Sequence, residues 1–160
     1  LTFSVLEQLS FLAPSDYRPD DLAYIRPRVR ALTCTSNAMA PLARELGGAV
    51  EPGWDETARA QLRAELDGYY AHLYGLTRLE LRYILDPQEV LGPDFPGETF
   101  RVLKDNERRA LGEYRTGRLV LAAYDALAEN PRFRDEVPQR ACTVRPFLEA
   151  AQPAANKATS

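Results

Sequence analysis

In the middle of the chain, apolar positions recur every three or four residues. Leu62, Leu66, Tyr69, Tyr70 and Leu73 share one helical face. Gly75 stops that helix, because glycine takes the left-handed conformation past a helix end without steric cost, and Leu76 follows where a closing apolar contact belongs. A second helix starts at once: Thr77 and Glu80 have capping-box spacing, and Leu76 and Leu81 flank the cap as a hydrophobic staple. Leu81, Ile84 and Leu85 carry its apolar face to Asp86-Pro87, where proline ends it. The pattern predicts a tight helix-turn-helix corner over residues 65–86.

The flanking segments read in the same way. Residues 1–12 alternate at Phe3 and Val5 and then lose their period, which predicts a short strand or extended arm without a partner strand in this chain. After the turn at 13–16, Pro19, Asp20 and Asp21 open a helix whose inner face is Leu22, Ile25, Val29 and Leu32. Pro27 is expected to kink or split it. Arg26, Arg28 and Arg30 lie on its other face, a solvated surface by default. A helix over 37–46 turns Met39, Leu42 and Leu46 inward and stops at Gly47-Gly48. Trp54 reads as a core anchor beside Asp55, the expected cap of the central helix. Residues 86–97 hold three prolines and two glycines and read as a loop. Phe100, Leu103, Ala110 and Leu111 define a further helix, and Tyr114, Leu121, Tyr124 and Leu127 a last long one that ends near Asn130-Pro131. The expected fold is mostly α. A short extended or β segment at 1–14 precedes a multi-helix domain at 15–130, and a partly disordered C-terminal extension follows at 131–160.

Composition narrows the classes. A chain of 160 residues with 45% hydrophobic and 27% charged residues can bury its own core. No apolar run approaches the roughly 18 residues a membrane-spanning helix needs, so a membrane protein is not expected. Two cysteines, Cys34 and Cys142, with no CxxC spacing suit a reducing cytoplasm. The chain opens at Leu1 with no basic-then-apolar leader and reads as an excised piece of a larger protein. His72 is the sole histidine, too few for a metal site and read as a packing or surface residue.

The net charge of −3 is unevenly spread. Between Arg101 and Arg118 stand six bases, Arg101, Lys104, Arg108, Arg109, Arg115 and Arg118, against three acids, Asp105, Glu107 and Glu113. Arg101, Lys104 and Arg108 share one helical face. They form either a phosphate-contacting stripe or a solvated face with local ion pairs. The chain has no glycine-rich phosphate loop, nucleophile elbow or HExxH motif, so an independent enzyme is not expected.

Three stretches, ELDGYYAHLYGLTRLELRYILD (65–86), GETFRVLKDNE (97–107) and GEYRTGRLVLAAYDAL (112–127), resemble in this order the C-terminal region of large prokaryotic restriction-modification proteins. These are the type IIG and type IIL enzymes and related adenine-specific DNA methyltransferases of phage defence. SNAMAPLARELG (36–47) resembles the same region, and the likeness runs from about Pro14 to Leu127. The family's methyltransferase motifs and nuclease centre are absent from this chain. The resemblance therefore implies a non-catalytic piece that assists target recognition, with chemistry and S-adenosylmethionine in the rest of the parent protein and no cofactor of its own. Its implied partners are duplex DNA and the remaining domains of the parent. The residues expected to face DNA are Arg101, Lys104, Arg108, Arg109, Tyr114, Arg115 and Arg118. The alternative is a module that docks the recognition domain on the catalytic one without touching DNA, through the aromatic surface around Trp54, Tyr69 and Tyr70.

Overall fold

A computed structural model describes residues 12–50 and 53–134. Among them the chain is mostly helical, as expected. The helical stretch anticipated over 15–130 divides into two compact units, Leu1–Asp55 and Glu56–Ser160. The proposed strand at Phe3 and Val5 lies outside the described residues, as does the extension beyond Arg134.

In the first unit a 3-10 turn at Pro14–Asp16 leads into α1 (Pro19–Thr33). The carboxylate of Asp21, fully buried, accepts the backbone N–H of Arg18 at 2.7 Å and closes the first turn. Pro27 does not split α1. Both it and Ala23, whose carbonyl it leaves without a helical donor, are exposed, so water can take the missing bond. Arg28 folds back over the Tyr24 ring at 3.5 Å and donates to the Tyr24 carbonyl at 2.8 Å. A second 3-10 turn at Asn37–Met39 precedes α2 (Ala40–Glu45), with Pro41 in its first turn. Ala43 is the buried residue of α2, and Leu42, expected inside, is 37% exposed. Trp54 is 67% exposed and does not anchor a core.

The second unit is built on α3 (Glu56–Leu73) and the corner that follows it. Gly75 has φ +68°, and Thr77 caps α4 (Arg78–Leu85). The Glu80 N–H donates to Thr77 Oγ1 at 3.2 Å, while the Thr77 N–H donates to Glu80 Oε2 at 2.6 Å. Asp86 then ends α4 and opens α5 (Pro87–Leu91), one helical turn inside what reads as a loop. Next come α6 (Arg101–Leu111), α7 (Arg115–Leu127) and α8 (Pro131–Arg134). Helix α8 opens at Asn130-Pro131, where the last long helix was expected to end. Its Phe133 is buried, with its ring 4.9 Å from that of Tyr69 and 4.6 Å from that of His72.

The main helix pair is α3 with α7. They meet at Gly68, where an added Cβ would lie 2.8 Å from the Tyr124 backbone nitrogen. The core gathers Ala64, Ala71, Leu81, Leu85 and Val120, with Leu76, Tyr114, Leu119, Leu121 and Tyr124 packed against it. Small residues thus set the contact line of α3, and Leu62, Leu66 and Tyr70 are only half-buried. His72 lies between two rings, stacked on Tyr124 at 3.9 Å and 6°, and its Nε2–H donates to the Tyr124 carbonyl at 2.9 Å. Burial lowers its pKa below the ordinary 6.5.

Candidate functional site

Helix α6 buries charged residues and leaves its apolar ones exposed. Lys104 and Glu107 are its buried residues, whereas Phe100, Val102, Leu103 and Leu111 are 50%, 69%, 40% and 49% exposed. The expected apolar positions Phe100, Leu103, Ala110 and Leu111 are therefore all exposed. What holds α6 in place is charge. Lys104 Nζ donates to Asp86 Oδ1 at 2.9 Å and to the Gly97 carbonyl at 3.1 Å. Glu107 accepts the Thr116 N–H at 2.8 Å and the Thr116 hydroxyl at 2.6 Å, so it caps the first turn of α7 from the neighbouring helix.

The anticipated basic stripe is therefore broken up. Lys104 is 2% exposed and locked on Asp86, so it is not a surface phosphate contact. Arg108 donates to the other oxygen of the same carboxylate at 3.1 Å, with its side chain half exposed. Arg115 turns its Nε toward Glu107 at 3.9 Å. Arg118 grips Glu113 through two bonds of 2.9 Å, which hold the Glu113 carboxyl below its usual range. Arg101 lies 3.3 Å from Glu98. Arg109 alone of the seven expected residues is exposed with no ion pair among the described residues.

Tyr114 does not present its hydroxyl to a ligand at the surface. Its ring packs on Gly117, and the buried hydroxyl has no hydrogen-bond partner among the described residues. Burial, reinforced by the Glu107 and Asp86 charges, pushes its pKa up to about 12. The Gly-Glu-Tyr-Arg-Thr segment at 112–116 is thus mainly a helix entry. Gly112 turns at φ +77°, Glu113 clamps Arg118, Tyr114 fills the interior and Thr116 locks onto Glu107.

Two cavities flank this arrangement. A cleft of about 700 Å³ is lined by residues of α4, α5 and α7 together with Arg108. A groove of about 410 Å³ runs between α3 and α6, with Ala60, Ala64, Phe100 and Leu103 on its walls and Glu107 and Tyr114 in it. Phe100, at the mouth of that groove, sits at φ +52°, a left-handed conformation uncommon for an aromatic residue.

Sequence reasoning missed Asp86 and Glu107 as organising groups. Asp86 reads locally as a helix stop and Glu107 as one of several surface acids. The only available signal is that Lys104 and Glu107 share a face, three residues apart. Among the described residues no three of His, Cys, Asp or Glu converge on a metal position, and no helix is long and apolar enough to cross a membrane. Compared with family models, with curated proteins and with solved structures, the chain matches none of them.

Proposed function

We propose that this chain is the helical, non-catalytic C-terminal domain of a cytoplasmic restriction-modification DNA methyltransferase, and that it docks the parent's target-recognition domain. The resemblance of residues 65–86, 97–107 and 112–127 to that region supplies the family. The observation that carries docking is the exposure of the apolar residues of α6: Phe100, Val102, Leu103 and Leu111 stay open to solvent while Lys104 and Glu107 are the buried side chains. Exposed apolar side chains clustered along one short helix mark an interaction surface. Arg101, Arg108, Arg115 and Arg118, the side chains a phosphate backbone would need, are instead close to carboxylates. Methyl transfer and S-adenosylmethionine then belong to the rest of the parent.

A second reading, weak contact with duplex DNA, draws on Arg109 and on the exposed part of Arg108. The two are separated in the full polypeptide that carries this chain. Val102→Asp with Leu103→Asp should lower site-specific methylation and open the domain to limited proteolysis, with its helix content kept. Arg109→Ala should leave both unchanged. The opposite pattern, with DNA affinity falling in the arginine variant alone, would put DNA contact in first place.

A further inference from the structure

We propose that the cleft between α4, α5 and α7 binds a single carboxylate carrying an apolar body, with Arg108 as the group that engages it. This goes beyond the docking reading and stands without it, because α6 gives the cleft Arg108 and none of its exposed apolar residues.

The argument begins with charge. Around the cleft, Arg78 is matched by Asp125 through bonds of 2.7 and 3.0 Å, Arg118 by Glu113, and Glu89 by Arg82 at 2.9 Å. Asp86 is the exception, since one carboxylate serves both Lys104 and Arg108. The enclosed Lys104 neutralises it, and Arg108 is left as one positive charge in excess at the cleft wall. Arg108 spends one hydrogen bond on Asp86, and a guanidinium offers five N–H groups in a planar fork suited to a carboxylate.

The surroundings define the rest of the ligand. Leu85, Tyr114, Gly117 and Leu121 give the cleft an apolar floor, and about 700 Å³ lies in the range of small-molecule and side-chain sites. A surplus of one charge matches a monoanion. A nucleic-acid backbone needs several free cations in a row, and the other arginines of the cleft, Arg78 and Arg118, are occupied. A free aryl or alkyl acid and an acidic side chain beside an apolar one in a partner segment share this chemistry.

The test is a two-dimensional NMR titration of the 160-residue chain with phenylacetate and with the blocked dipeptide acetyl-Phe-Glu-amide, against inorganic phosphate and a short duplex DNA. Saturable shifts at Gly117, Leu121, Ala122 and the Arg108 Nε–H with the carboxylates support the site. A tighter dipeptide marks a partner side chain as the source, and a tighter phenylacetate a free acid. Arg108→Gln, which leaves Asp86 balanced by Lys104, should weaken binding about tenfold or more. Ala122→Phe should block the cleft without touching Arg108, so the test survives if the first variant does not fold. Carboxylate shifts that are absent, that persist in both variants, or that are outdone by phosphate or DNA would overturn the proposal. None of these outcomes depends on the α6 variants that test docking.

Discussion

Lys104 Nζ lies 2.9 Å from Asp86 Oδ1, and the side chains of this pair are 2% and 6% exposed. The pair ties α6 to the junction of α4 and α5. A third charge, Arg108, reaches the same carboxylate from the cleft side. Removing the acid therefore differs from removing either base. Asp86→Ala strands two cations, one of them buried, and also takes the cap from α5; it should cost about 3–5 kcal/mol. Lys104→Met leaves Asp86 paired with Arg108 and should cost less, about 1.5–3 kcal/mol, the range for a lost hydrogen bond to a charged group. Urea denaturation of both variants checks the order, and a reversed order would contradict the arrangement.

Gly68 should be intolerant of even one methyl group. The added Cβ would meet the Tyr124 nitrogen at 2.8 Å and the Ala123 backbone carbon at 3.1 Å, and helix backbone cannot swing aside as a side-chain tip can. Gly68→Ala should therefore destabilise by about 1–3 kcal/mol despite the better helix propensity of alanine. The measurement is the denaturation midpoint, with Ala126→Gly on the exposed side of α7 as a control for propensity alone.

Tyr114 carries a buried hydroxyl without a partner, so Tyr114→Phe should be neutral or raise stability by about 1 kcal/mol. The same burial predicts an alkaline limb. The folded-state pKa of about 12 lies above the ordinary 10.0, so the folded chain keeps a proton that the unfolded chain loses. This share of stability is complete below pH 10 and is lost as pH rises toward 12. A pH series of denaturation curves should show the limb shrink in the phenylalanine variant.

His72 predicts the opposite limb. Its folded-state pKa is depressed by burial, so between the ordinary 6.5 and that lower value the unfolded chain holds the extra proton. Stability is complete above about 6.5 and falls as pH drops below it. His72→Phe keeps a ring between Tyr124 and Phe133 and removes the titration. Its stability should therefore vary less between pH 7 and 5 than that of the parent, although it loses the bond to the Tyr124 carbonyl. Equal slopes would rule out the role of His72.

Local signals decide much of this chain independently of its tertiary packing. The corner at 65–86 follows from Gly75, the Thr77 and Glu80 box and Asp86-Pro87, because each acts within one helical turn and needs no distant partner. Most of the helices between Pro19 and Leu127 follow from period alone, and the mostly α class with them. The orientation of α6 does not. Its hydrophobic period marks Phe100, Leu103 and Leu111 as buried, yet Asp86, eighteen residues before Lys104, and Thr116, nine after Glu107, draw those two charges in and the apolar residues stay exposed. A buried charge is tolerated only where a counter-charge and hydrogen bonds wait for it, and the sequence pattern does not say where those lie. Trp54 is exposed against expectation, and Phe133, which the pattern did not single out, is buried for a related reason. Phe133 found the Tyr69 and His72 rings within reach, and burial follows the neighbours a side chain meets in space. Helix ends and periods were legible along the chain. Only the tertiary structure decided which face each helix buries and which of the bases stay free, because both depend on partners far away in sequence.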